Sequence, residues 1–151
     1  MAGRVEAIYL FPERAGPAEA RDEVRAVAGC GLEGDRYFEE GLDPARQLTL
    51  IDTAVLEEVA EADPTLALEP GESRRQLTTS GIDLNALVGQ EFSVGQARCR
   101  GIELCEPCSH LEQLTGRAGI LRALVHRGGL NAEILDGGTI AVGDPISPGP
   151  S

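Results

Sequence analysis

A mainly β fold, a small barrel with a few short helices packed on it, is what this 151-residue sequence predicts. Three observations lead there. Nineteen Gly and nine Pro are spread along the chain, which cuts it into short elements separated by turns. The apolar segments between those turns are short and partly β-branched, as half-buried strands require. Aromatic residues are only 3% and Trp is absent, so the core must come from Leu, Val, Ile and Ala within the 42% apolar content. The length fits one domain over residues 1–151, with no internal repeat, composition break or linker.

Each element has its own signal. Val5 to Leu10 reads as the first strand, and Phe11 to Glu23, rich in Pro, Ala and Glu, as a polar surface connection. Val24 to Ala28 reads as a strand running into the tight Gly loop Cys30-Gly31-Leu32-Glu33-Gly34-Asp35-Arg36-Tyr37. Gln47 to Ile51 is the next strand. Asp52 caps a predicted helix over Thr53 to Ala62, which carries Leu56, Val59 and Ala60 on one face and is stopped by Pro64. A loop over 63–73 leads to a polar strand from Arg74 to Thr79, then to a helical turn closed by Gly89. Glu91 to Val94 and Ala97 to Leu104, around Gly95-Gln96, predict a hairpin. Ser109 and Glu112 form a capping box for a short helix ending at Gly116, and Arg117 to His126 suits another. Leu130 to Leu135 and Thr139 to Val142, joined by Gly137-Gly138, read as a second hairpin, and Ser147 to Ser151 as a frayed end. The tally is roughly seven to nine short strands and three or four short helices, which argues against a doubly wound α/β sheet.

Charge narrows the function classes. The net charge is −12, and every one of the 13 basic residues is Arg. Without Lys there is no internal aldimine with pyridoxal phosphate and no Walker A phosphate loop. Such an acidic chain is unsuited to nonspecific nucleic-acid binding, which requires neutralising phosphates. No stretch approaches the roughly 18 apolar residues of a membrane span, and the first residues lack the pattern of a signal peptide. Four Cys without a leader predict a cytoplasmic protein with free thiols.

The most pointed chemical feature is Cys105-Glu-Pro-Cys108. Cys108 immediately precedes the predicted N-cap Ser109, where the positive end of a helix favours the thiolate. The thiolate is the form that attacks, carries sulfur or binds a soft metal. Two buried inert thiols would have the same spacing, since free Cys is commonly buried. A thioredoxin-like pair needs a βαβ setting that the chain lacks. A structural zinc site needs four ligands, whereas Cys30 and Cys99 stand singly. Cys105 is the candidate second thiol, and His110, two residues past Cys108, a candidate proton carrier. Adjacent Arg74 and Arg75 on a strand would face opposite sides, so at most one of them faces a given pocket. Arg forks bind phosphate or carboxylate, but a solvated pair would look the same. Asp35-Arg36 is either a local ion pair or part of a pocket lining.

In order along the chain, Gly31-Leu-Glu-Gly-Asp-Arg36, Arg46-Gln-Leu-Thr-Leu50, Arg74-Arg-Gln-Leu-Thr-Thr-Ser-Gly-Ile-Asp-Leu84, Cys105-Glu-Pro-Cys108 and Gly137-Gly-Thr-Ile-Ala-Val-Gly-Asp144 resemble a stand-alone MOSC domain. This domain is also found at the C-terminus of molybdenum cofactor sulfurases. The resemblance runs from about Val5 to Ile146 and implies a β-rich barrel and a pocket for a molybdopterin-type cofactor. It implies that Cys108 carries sulfur or ligates molybdenum, as soft sulfur suits such a metal. It implies a pocket lined by Arg46, Arg74 and Arg75 with Gly34 and Asp35, to which Arg36, Gln76 and Thr79 of the same motifs are added. The arginines would neutralise the pterin phosphate. Gln76 departs from the family's usual Asn, keeping the amide on a side chain one methylene longer.

The implied activity is oxygen removal from N-hydroxylated compounds with partner-supplied electrons. The four Cys cannot provide both an iron–sulfur cluster and a cofactor thiolate. Two alternatives belong to other classes. One is a metal-independent sulfur carrier or carbon–sulfur lyase using a Cys108 persulfide, served by a sulfur-donor protein, with His110 and Cys105 assisting. The other is a non-catalytic cofactor- or partner-binding module.

Overall fold

A computed structural model of the protein describes residues 3–13, 16–68, 71–106, 114–116 and 119–149. Eleven strands are present among them: β1 (Gly3–Leu10), β2 (Glu19–Arg21), β3 (Glu23–Val27), β4 (Gly31–Leu32), β5 (Leu48–Asp52), β6 (Leu77–Ser80), β7 (Glu91–Val94), β8 (Ala97–Leu104), β9 (Leu130–Asp136), β10 (Gly138–Ala141) and β11 (Pro145–Pro148). Helix α1 spans Thr53–Ala62 and α2 spans Ile120–Ala123. Single 3-10 turns cover Pro44–Arg46, Pro64–Leu66 and Leu84–Leu87.

Seven strands close a barrel in the order β1-β6-β5-β9-β8-β7-β11, and β11 returns to β1 through Gly3 opposite Ile146. Closure leaves no open edge on this ring. The β5–β6 pair is parallel, with Leu50 opposite Leu77. Parallel neighbours need a crossover, and α1 lies within it. Asp52 ends β5 and caps α1, its carboxylate accepting from the Ala54 N–H at 2.9 Å. Strand β2 extends the sheet beside β1, and β10-β3-β4 forms a separate three-stranded sheet.

Alternation along the strands fills the barrel. Val5, Leu48, Leu50, Leu77, Phe92, Val94, Leu130 and Ile146 are buried in one cluster. A smaller cluster of Val59, Leu66, Ile120 and Leu124 joins α1 to α2. Among the described residues no helix is long and apolar enough to cross a membrane.

Several sequence expectations need correction. The connection from Phe11 to Glu23 contains β2. The strand expected from Arg74 starts only at Leu77, because Arg74 adopts a left-handed backbone with φ 62°. The Gly137-Gly138 hairpin does not form: β9 pairs with β8 and β5, whereas β10 pairs with β3 in the other sheet. These glycines serve close backbone approach. A Cβ on Gly137 would stand 2.6 Å from the Ala26 carbonyl oxygen. Of the end expected to fray, Ser147 and Pro148 belong to β11, whose Ile146 is fully buried and closes the barrel. Of the helix predicted over Arg117 to His126, the described residues form only the single turn of α2, and the Ser109–Glu112 capping box lies outside the described residues.

Candidate functional site

A cavity of about 220 Å3 opens where the Gly loop after β4, the Pro44–Arg46 turn and the segment leading into β6 meet. It is lined by Phe11, Asp35, Arg36, Tyr37, Ala45, Arg46, Thr49, Arg74, Gln76 and Asn131, of which the charged members are three arginines and one aspartate. The loop is held by Asp35, which is buried: Phe11 N–H donates to its Oδ1 at 3.0 Å and Tyr37 N–H to its Oδ2 at 3.4 Å. Its carboxylate thus ties the loop to the end of β1.

The guanidinium groups lean on the two aromatic rings of the lining. Arg36 lies 4.6 Å from the Tyr37 ring centre and Arg46 5.6 Å, while Arg74 stacks on Phe11 at 4.2 Å. Such contacts orient a cation without neutralising it. Arg36 Nη2 donates to the Tyr37 hydroxyl at 2.9 Å, and Arg74 Nη1 donates to the Gly16 carbonyl. Two donors remain: Arg36 Nε and Arg74 Nη2 are buried and have no hydrogen-bond partner among the described residues. Burial, and then the neighbouring charge of Arg36, push the Arg74 pKa down from its ordinary value. Both causes disfavour its positive charge, and an anion in the cavity would oppose both. Gln76 braces the floor, accepting from Thr49 N–H at 3.0 Å and donating its own N–H to Thr49 Oγ1 at 2.9 Å. The extra methylene of Gln76 therefore serves a contact to β5.

Arg74 also lines a second cavity of about 250 Å3, with Gly16, Pro17, Ala18, Gly71, Glu72, Leu114 and Thr115. This places residues that follow the Cys105–Cys108 segment beside the same guanidinium.

Of the residues singled out in the sequence, Asp35, Arg36, Arg46, Arg74 and Gln76 line one cavity. The adjacent arginines do separate, although not on a strand. Arg75 is buried, and its guanidinium donates to the carbonyls of Gly128 at 2.8 Å, Ser73 at 3.1 Å and Cys105 at 3.2 Å. Thr79 is fully buried and donates to the Ile51 carbonyl at 3.3 Å. Gly34 is exposed in the loop behind Asp35. Cys105 is half-buried at the end of β8, its N–H donating to the Gly129 carbonyl at 2.8 Å. Cys108 and His110 lie outside the described residues. Cys99 sits in the barrel core, where burial pushes its thiol up to about 12. Sequence reasoning missed Phe11, Tyr37, Thr49 and Asn131. In a chain with so few aromatics, Tyr37 directly after Asp35-Arg36 was the available signal.

The MOSC domain family model matches residues 38–147. The chain belongs to the MOSC domain family. That family is associated with molybdenum cofactor binding and sulfur-related functions. The match covers Arg46, Arg74, Gln76 and the Cys105–Cys108 segment, while Asp35 and Arg36 precede it. Among solved structures this MOSC domain is similar to the YuaD protein of Bacillus subtilis, at 17% identity and a TM-score of 0.83 over 97% of this chain and 94% of that one. It is similar to YiiM of Escherichia coli, at 20% identity and a TM-score of 0.76 over 100% of this chain and 71% of that one. It is also similar to YiiM of Geobacillus stearothermophilus, at 14% identity and a TM-score of 0.77 over 97% and 74%. At these identities the likeness is one of fold. No curated protein sequence matches the chain significantly.

Proposed function

We propose that this MOSC domain binds a molybdopterin-type cofactor through its arginine cavity, with Cys108 as the molybdenum or sulfur ligand. The observation that supports this most is the pair of buried donors, Arg36 Nε and Arg74 Nη2, that have no partner among the described residues and sit in one small cavity with Arg46. A buried donor without an acceptor costs about 1–3 kcal/mol, and an anionic ligand supplies the missing acceptor. The donor set suits a phosphate, because guanidinium forks match its oxygens. The first cavity alone is smaller than a typical ligand pocket of about 300–1,000 Å3. The adjoining one, sharing Arg74, extends it toward Leu114 and Thr115.

In this reading Arg36, Arg46 and Arg74 bind and neutralise the phosphate, and Tyr37 and Phe11 hold the guanidiniums in place. Asp35 fixes the loop without entering the anion site, since its oxygens accept backbone N–H groups. Cys108 follows Cys105 by three residues, a reach of at most roughly 10 Å along the chain. Arg75 holds the Cys105 carbonyl and so anchors the near end of that span. When bound, the cofactor supplies two-electron oxygen-atom chemistry, which suits reduction of N-hydroxylated compounds with electrons from a partner protein. His110 is the candidate proton carrier and Cys105 the candidate second thiol. We further propose a cytoplasmic setting for this work.

Metal and pterin analysis of the protein purified from a host that makes the cofactor tests this. Molybdenum and pterin are expected in the wild type, with metal lost in Cys108→Ala and pterin depleted in Arg74→Gly. Wild-type protein with neither would overturn the reading. If Cys108 then carries one extra sulfur atom by mass spectrometry, a metal-independent sulfur carrier replaces it.

A further inference from the structure

We propose that Asn131 and Glu103 form a second subsite beside the arginine cavity, which reads the amino-oxo edge of the ligand's heterocycle. Asn131 lines the cavity together with the three arginines. It stands in β9, directly opposite Thr49 of β5 on one side and Glu103 of β8 on the other. Directly opposed residues share a face of the sheet, with Cβ atoms about 4.5–5.5 Å apart. The next register pair, Leu104 with Leu130, carries the fully buried Leu130 into the core. Alternation therefore puts Thr49, Asn131 and Glu103 in a row on the outer face of the barrel wall. The row begins at Thr49 and Asn131, which both line the cavity, and runs one strand further to Glu103.

Thr49 is committed to Gln76. The other two members of the row are not. Among the described residues the Asn131 amide and the Glu103 carboxylate make no hydrogen bond or ion pair. Asn131 is half-buried and Glu103 exposed. Strand preference does not put them there, since Asn and, less strongly, Glu are depleted in strands. Strand pairing fixes both backbones, so the two side chains stand at the spacing of adjacent strands.

Their chemistry complements one kind of edge. A carboxylate only accepts, and its two oxygens take two adjacent N–H donors. The Asn131 amide donates through Nδ2 to a carbonyl. Side by side they match a ring that presents a carbonyl, a ring N–H and an exocyclic amino group in succession. That is the edge of an aminopyrimidinone, as in a pterin. A cavity of about 220 Å3 does not enclose both a phosphate and a bicyclic ring, and the row extends the binding surface along the barrel wall. The arginines recognise charge, whereas Asn131 and Glu103 distinguish the heterocycle. This inference rests on the reading of the arginine cavity as the anion site of a pterin ligand.

The test is fluorescence titration of the intact protein with 6-carboxypterin and 6-carboxylumazine. Each carries a carboxylate for the arginine forks. The two differ at one ring position, where the lumazine has an oxygen in place of the amino group. That oxygen faces the Glu103 carboxylate as a second acceptor, so the wild type is expected to bind the pterin about tenfold tighter. Glu103→Gln, whose amide donates to the same oxygen, is expected to bring the two affinities within about twofold. Asn131→Ala is expected to weaken both about fivefold and to keep the preference, because both probes share the carbonyl. Equal binding of the two probes by the wild type, binding of neither, a preference that survives in Glu103→Gln, or unaltered affinities in Asn131→Ala would each overturn the proposal. Failure of the arginine reading is seen separately, as undiminished affinity for both probes in Arg74→Gly.

Discussion

Arg74 and Arg75 are neighbours with opposite employment, and the difference is set by backbone conformation. The left-handed backbone at Arg74 aims its guanidinium onto Phe11 and leaves Nη2 buried without an acceptor among the described residues. Arg75 turns inward and donates to three carbonyls. The two substitutions are therefore expected to separate. Arg74→Gly relieves the left-handed strain, so stability should stay within about 1 kcal/mol while anion binding is lost. Arg75→Ala strands three carbonyls and should destabilise by about 3 kcal/mol. Urea denaturation together with pterin content measures both. Cys99 gives a second expectation at this scale. Its native thiol is pushed up to about 12 by burial, above the value near 8.5 of an unfolded thiol. At alkaline pH the unfolded chain loses this proton while the native one keeps it. The stability it contributes is present below the unfolded value and is lost as pH rises toward the native one. Denaturation curves between about pH 8.5 and 12 should fall less steeply in Cys99→Ala than in wild type.

Elements were legible where their signals were local. The β7–β8 hairpin around Gly95-Gln96 and the Asp52-capped helix stand where the sequence puts them. In both, the deciding contacts lie within a few residues along the chain. Gly137-Gly138 carried an equally strong local turn signal and misled, because close approach to the backbone of Ala26, the register partner of Gly138 on β3, uses the same residue type. Gly137→Val should therefore act as a packing lesion and not as a turn lesion. A side chain there meets the Ala26 carbonyl and should destabilise by about 1–3 kcal/mol, as overpacking does. Thermal unfolding of this variant beside the wild type measures the effect.

At the level of the whole molecule, β11 closes the ring by pairing with β1 on one side and β7 on the other. Ending the chain at Asp144 would remove the buried Ile146 and open two strand edges. Loss of a cooperative unfolding transition is the expected result, read by circular dichroism on heating. The sequence by itself determined that the chain is acidic, all-arginine in its bases, β-rich and made of short elements, and its ordered motifs resembled a MOSC domain. Those properties are carried by composition and by contacts between near neighbours. Only the tertiary structure decided that Asp35, Arg36, Arg46, Arg74 and Gln76 meet in one cavity while Arg75 and Thr79 turn away. The reason is distance along the chain: Phe11 meets Asp35 and Arg74, and Gln76 meets Thr49, through contacts 24 to 63 residues apart that no local pattern encodes. Barrel closure creates these meetings, and with them one positive cavity in a strongly negative protein.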